Sequence, residues 1–450
     1  MVNVLRKYAG LGVATFTFVY WELLSRFYGK APIYAGEINA ARLVDWLSFW
    51  TWTDYSGYDR FSPFGALFVS VLDLRIIRPL VGASTSMVSG FSAEYLVQPY
   101  ILLFAFLAYL IFRLLIALGV SEGAAIVGAL FVGMHKGFIY YFGYAALIAV
   151  ALLLVATVVC LKAFHDFLKY RQRRYLVIYL VTMIWAVGLW EQWMGLALSI
   201  FFFACCALVS TKVRGDWSRS SLAKWGILYP FGLMSLYMIF RSQRLTETST
   251  VSEAQLIFSY QSIWLMIEEV VVNATHRLGS TFESLFFPQP MLSAAVIQNL
   301  DPNEFNKYNA TYTSINQYHY VTIADWYVGL VSGACIALTL VWVIWIFRRG
   351  TVVEARLAVI GLLLTIFGMV EHLPVMYRSY FTLPGYASLL DYKQAISVVG
   401  AAILISASLN SLFTRQFGKS KLQIVSVCLL VGWMAINNVL KILITVWMTK

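Results

Sequence analysis

Four short stretches of this chain hold residue types that can do chemistry together. The first is Trp52 to Gly65 (WTDYSGYDRFSPFG), with Asp54, Asp59 and Arg60. The second is His135-Lys136, the third Trp190-Glu191-Gln192-Trp193, and the fourth Glu371-His372 followed by Arg378 in MYRSYFTLP. A carboxylate can take the proton of an attacking hydroxyl, cations can neutralise a phosphate, and aromatic faces can cover a sugar or lipid. Those parts suffice for glycosyl transfer. Each group also has a structural reading. Asp54 and Asp59 fit a helix cap or a solvated loop, Glu191 and Gln192 a polar turn, His135 a satisfied core group, and Arg378 an interfacial anchor.

Other chemistries lack their signatures. No HExxH occurs, and His135, His165, His276, His319 and His372 form no i,i+4 pair. No P-loop or GxGxxG is present, so nothing in the chain supports ATP-driven or dinucleotide chemistry. The five cysteines, Cys160, Cys205, Cys206, Cys335 and Cys428, lie in apolar runs without a CxxC and read as small core residues.

The elements that must position these groups are set by composition. Hydrophobic residues make up 60% of the 450 and charged residues 12%, about half the charge that an ordinary soluble domain spreads over its surface. This excludes a disordered chain and a disulfide scaffold. It predicts an all-α polytopic bundle forming a single transmembrane domain over 1–450. A crossing needs about 20 mostly apolar residues. About eleven such runs centre near Phe16, Phe106, Ala129, Leu152, Met183, Phe201, Met234, Cys335, Leu364, Ala402 and Val431. The first has no small-residue cleavage site and reads as a retained helix.

The net charge of +11 comes from basic clusters scattered between apolar runs, a pattern of membrane orientation rather than of nucleic-acid binding. Arg6-Lys7, Arg113, Lys162 to Arg174, Lys212 to Lys224, Arg348 to Arg356 and Arg415 to Lys421 all fall on one side if 26–96 lies wholly on the other. That arrangement puts the N-terminus in the cytoplasm and all four chemical stretches outside. The external loop 26–96 contains Phe64 to Leu80, whose apolar residues recur every three or four positions and predict an interfacial helix, with a short re-entrant or packed helix as the alternative. The large external loop 241–325 is polar and carries sequons at Asn273 and Asn309. No internal repeat or soluble terminal domain is evident.

An acidic first external loop, an interfacial helix after it and many spans with an inside N-terminus together resemble the GT-C superfamily of membrane glycosyltransferases. The segment Asp59 to Gly65 (DRFSPFG) is similar to the acidic-then-RFxPLG pattern of many bacterial members. Tyr140 to Tyr144 (YYFGY) resembles their third-to-fourth span. Glu371 to Pro384 (EHLPVMYRSYFTLP) looks like the E…RYxYLP pattern of protein-mannosyl and related transferases.

The resemblance implies a polyprenyl-phosphate-linked sugar as donor and an external glycan, glycolipid or protein as acceptor. It implies Asp54 or Asp59 as the base of an inverting displacement and Arg378 as the phosphate-binding cation. Arg60, His135 and Lys136 join that cation on chemistry alone, and Glu191 lies where members often carry an acid. Members differ in needing a divalent metal, so that is the one cofactor the resemblance admits. The chain departs from the pattern in three ways. Asp54 is roughly 30 residues past the first span, the two acids are not adjacent, and there is no large C-terminal external domain. Two other classes stay open: a lipid-linked sugar carrier, and a non-catalytic subunit with a membrane-protein partner. The absent cleavable signal and retention motif lean toward a bacterial inner membrane with the chemical face in the periplasm.

Overall fold

The structure, a computed structural model, describes residues 2–28, 64, 94–135, 137–138, 148–244, 281–282, 285, 323–369, 395–413 and 421–448. Among these the chain is helical and contains no strand. The helices are α1 (Val2–Tyr28), α2 (Glu94–Ala117), α3 (Glu122–Gly133), α4 (Ile148–Tyr170), α5 (Arg173–Val187) and α6 (Trp193–Val209). A short turn, Thr211–Arg214, leads to α7, residues 219–244, which passes through a π-helical segment, Leu222–Leu228. Then come α8 (Ile323–Arg349), α9 (Val352–Phe367), α10 (Ala395–Leu412) and α11 (Lys421–Met448). Each apolar centre expected from the sequence falls on one of these helices. Five of them, α2, α4, α7, α10 and α11, contain runs long and apolar enough to cross a membrane.

Burial separates the middle of the bundle from its rim. The apolar run of α4 is 83% buried and that of α10 is 78% buried, against 22% for α7 and 17% for α11. The two rim helices expose Leu228, Phe231 and Leu236, or Ile424, Leu429 and Ile436. Apolar side chains on an outer face are stable only against lipid or another apolar surface, which fits a membrane-embedded protein.

Between helices that share a lipid solvent, close approach and polar contacts do the holding. α9 and α10 meet along Gly361, Thr365 and Gly368 on one side and Ser397 and Gly400 on the other. A Cβ on Gly361 would come 3.1 Å from the Gly400 carbonyl oxygen. A Cβ on Gly400 would overlap the Thr365 backbone nitrogen. α5 and α7 are stapled reciprocally: the Tyr179 hydroxyl donates to the Trp225 carbonyl at 2.9 Å, and Tyr229 donates to the Leu180 carbonyl at 2.8 Å. Gly226 of the π-helical segment faces Ala204 of α6, with no room for a side chain.

Short turns make successive helices antiparallel and sort their ends into two groups. One end holds the α2–α3 turn, the α4–α5 turn at Arg171, the 210–218 connection and the α8–α9 turn. Its polar groups close on the chain itself. Arg356 donates from Nε to the Val213 carbonyl at 2.8 Å and from Nη2 to the Arg214 carbonyl. It also pairs with Asp216 at 3.3 Å and lies 3.5 Å over the Trp217 ring. Thr351 and Glu354 form a reciprocal capping box at the start of α9. Ser121 at the start of α3 donates its backbone N–H to Asn410 of α10 at 2.7 Å.

Candidate functional site

The opposite end carries the described residues of the chemical stretches: Phe64, His135 and Trp190 to Trp193. α5 ends at Gly188, and the chain turns through Leu189 to Gln192 before α6 begins. Backbone bonds of the i to i+3 type run through this turn: Leu189 to Ala186, Trp193 to Trp190, Met194 to Glu191 and Gly195 to Gln192, all 3.0–3.1 Å. They turn the polar side chains inward, so Glu191 and Gln192 are 7% and 1% exposed. Trp190 and Trp193 flank them, also buried, and the Trp193 ring packs edge-on against Tyr237 of α7 at 5.4 Å.

Two other parts of the chain seat against the same turn. Phe64, inside the DRFSPFG segment, donates its backbone N–H to the Gly188 carbonyl at 2.8 Å. Its ring lies where a Cβ on residue 188 would be. On the other side, Gly195 packs on the backbone of Phe367 and Gly368 at the end of α9. Those residues precede Glu371-His372 by only a few positions. The requirement for glycine at 188 and 195 is steric: each permits a backbone or a ring to come closer than any side chain would allow.

His135 is positioned by different helices. It follows the last turn of α3, is 1% exposed, and has the Phe131 and Phe138 rings edge-on at 5.9 and 6.1 Å. The Gly137 N–H donates to its Nδ1 at 3.2 Å, which assigns the ring proton to Nε2. The last carbonyls of a helix need donors from elsewhere. Here the Trp21 indole of α1 donates to Gly133 at 2.6 Å, and the Asn438 amide of α11 donates to Met134 at 2.9 Å. Phe138 stacks on Phe104 of α2 at 4.2 Å, and Trp21 and Tyr100 also contact Phe104. Near this wall, Glu22 of α1 accepts from Gln98 of α2 at 2.8 Å and pairs with Arg26 at 3.2 Å.

The structure therefore gathers, at one end of the bundle, the Glu191-Gln192 turn, one residue of the first-loop motif and the chain leading to Glu371. The His135 ring sits in its aromatic surround at the same end. Asp54, Asp59, Arg60, Lys136, Glu371, His372 and Arg378 lie outside the described residues, as does the expected interfacial helix beyond Phe64. The ends of the expected loop 241–325 belong to α7 and α8, and between those helices Thr281, Phe282 and Leu285 are described. Thr281 and Phe282 are buried, and the Leu285 carbonyl accepts from the Trp433 indole at 3.1 Å, about halfway along α11. Part of this loop is therefore packed on a helix flank.

Sequence reasoning missed the groups that hold the site: Gly188, Gly195, Trp21 and Asn438. Their only advance signal was a glycine directly before LWEQW and a tryptophan inside the first span. Among the described residues no group of three His, Cys, Asp or Glu gathers to hold a metal. Compared with known proteins, the chain matches no family model and no curated protein.

Proposed function

We propose that this protein is a membrane glycosyltransferase that moves a sugar from a polyprenyl-phosphate donor to an external glycan, lipid or protein. In this reading about eleven helices cross the membrane, a bacterial inner membrane. The N-terminus and the Arg356 end face the cytoplasm, and the Glu191 end faces the periplasm. Asp54 or Asp59 takes the proton of the acceptor hydroxyl. The freed oxygen attacks the anomeric carbon opposite the phosphate, the sugar–phosphate bond breaks, and the polyprenyl phosphate leaves with inverted configuration behind it. Arg378, Arg60 and Lys136 neutralise that phosphate, the Nε2 proton of His135 is a further donor, and Glu191 orients hydroxyls.

One observation supports this most. Phe64, from the DRFSPFG segment, and Phe367-Gly368, at the end of α9, flank the turn that holds Glu191 and Gln192, one at Gly188 and the other at Gly195. One residue of the first stretch and the helix that precedes the fourth thus meet on either side of the third.

The test is a mass profile of surface glycans and glycolipids from a deletion strain. The strain would be complemented with wild type, Asp54→Asn, Asp59→Asn and the double variant at matched protein level. Wild type should restore one defined sugar, and one Asp variant should cut its transfer by roughly 10²–10⁴-fold, the usual contribution of a general base. Full restoration by the double variant would remove the assigned base. The deep burial of His135 and Glu191 favours a second reading, a non-catalytic subunit of a membrane assembly. It would show an unchanged glycan profile and a stoichiometric partner after mild detergent extraction. Uptake of a lipid-linked sugar into sealed vesicles would instead indicate a carrier.

A further inference from the structure

At the end opposite the candidate site, the outward face of α5 changes character along its length. Arg173 and Arg174 are exposed at its start, and above them Val177, Ile178, Val181 and Ile184 are exposed at helical spacing. The inward stripe, Tyr179, Thr182, Met183 and Ala186, is buried. One face of a single helix thus presents two cations and then about two turns of bare hydrocarbon.

The neighbouring elements continue both halves. Before α5, Lys169 at the end of α4 and Arg171 in the turn are exposed, and Arg171 takes a positive φ of 55°, unusual for a side chain of its size. On α7, Lys224 is exposed and lies 4.8 Å over the Trp225 ring, while Leu228 one turn further is 65% exposed. The Tyr179–Trp225 bond ties α7 to the inward stripe of α5, so Lys224 stands beside α5 and adds positive charge next to its exposed face. Tyr170 and Tyr175 put aromatic rings beside Lys169 and Arg174 at the boundary between the charged and apolar zones, the position such rings favour at a membrane surface. The nearby acids do not cancel the charge. Asp166 is buried and paired with Lys162, and Asp216 is paired with Arg356.

We propose that this surface is a binding site for an anionic phospholipid, with its phosphate on Arg173 and Arg174, Lys224 adding to the positive field beside them, and its acyl chains along Val177, Val181 and Ile184. A free phosphate would use only the cations. The apolar stripe directly above them, open and facing outward from the bundle, selects the lipid. The site is independent of the glycosyltransferase reading, because it lies at the other end of the molecule and uses none of its residues.

The test is native mass spectrometry of the full chain reconstituted with equimolar phosphatidylglycerol and phosphatidylcholine. The expected result for wild type is that retained phosphatidylglycerol exceeds phosphatidylcholine by on the order of tenfold. Each cation at a membrane surface shifts such a preference several-fold. In the Arg173→Gln/Arg174→Gln/Lys224→Gln triple variant the preference should fall to near one. The three side chains are exposed, so folding should be unaffected, and the single Arg174→Gln variant should lose a few-fold. An Arg173→Lys/Arg174→Lys variant keeps the charge and should keep most of the preference. Equal retention of both lipids by wild type, or an unchanged preference in the triple variant, would overturn the proposal. Displacement of the lipid by soluble glycerophosphoglycerol at concentrations matching the intact lipid would overturn the acyl half and reduce the site to an anion patch.

Discussion

The two ends of the bundle both bury polar side chains, and they do so by opposite means. At the Arg356 end a long cation reaches back to backbone carbonyls, an aspartate and an indole ring, and a capping box closes the neighbouring helix on itself. At the Glu191 end the backbone does the turning, and glycines let distant segments approach until Phe64 and the end of α9 touch the turn. The first arrangement holds helices together through side chains that are fully engaged with the protein. The second holds segments from far along the chain around short polar groups. A closed knot suits stability, whereas a meeting of separate segments suits a place where a third molecule can enter.

Breaking the knot should give the largest effect on stability. Arg356→Ala removes charged hydrogen bonds to two part-buried carbonyls and the ring contact, which should cost about 3 kcal/mol. The melting temperature in detergent should fall clearly, while transfer per folded molecule stays near normal. A loss of transfer without a loss of stability would erase the distinction between the ends. The matching substitution at the other end is Gly188→Ala. Its Cβ would collide with the Phe64 ring and push Phe64 off its seat. Misplacing reacting groups by about an ångström costs ten- to a hundredfold in rate, so this methyl group should cut transfer by about tenfold with little change in melting. Equal activity in Gly188→Ala would show that the Phe64 seat is packing alone.

What could be read in advance divides along the same line. Helix positions were legible because a run of apolar residues needs no knowledge of its neighbours, and α4, α10 and α11 fall on their expected centres. Residue types able to do chemistry were legible too, at Glu191 and His135. The devices that place them were not. A glycine that admits a ring from 124 positions earlier, Gly188 to Phe64, looks in sequence like any turn glycine. The donation from Asn438 to the Met134 carbonyl joins the last helix to the third, and hydropathy carries no trace of it. Arg356 read as an orientation signal because its partners, Val213 and Arg214, contribute carbonyls that every residue possesses. The π-helical segment in α7 likewise coincides with tertiary contacts, the two tyrosine staples and the Gly226–Ala204 approach, that hydropathy does not reveal.

A smaller effect sharpens the comparison at His135. Trp21→Phe keeps a ring in the aromatic wall and removes the donor to the Gly133 carbonyl. One buried neutral hydrogen bond is worth about 1 kcal/mol, so melting should shift modestly. If the end of α3 moves, His135 moves with it, and transfer should drop more than stability does. A pure stability change would place His135 with the structural groups, as at the other end.

The smallest effect concerns acid. The Asp216 carboxyl is held below the usual carboxylate range, first by its own backbone amide and then by the Arg356 guanidinium. A carboxyl with a lowered folded pKa stabilises the fold at all pH above its unfolded value, about 3.9. The contribution fades as pH falls through the lower folded value. Asp216 is 84% exposed on its side chain, so solvent screens the pair and the contribution is small. Wild type and Asp216→Asn should therefore differ slightly in melting temperature at neutral pH and converge below about pH 4. If the difference persisted unchanged into acid, the side chain would act through its shape and backbone bond rather than its charge. The knot would then depend on Arg356 reaching its two carbonyls alone.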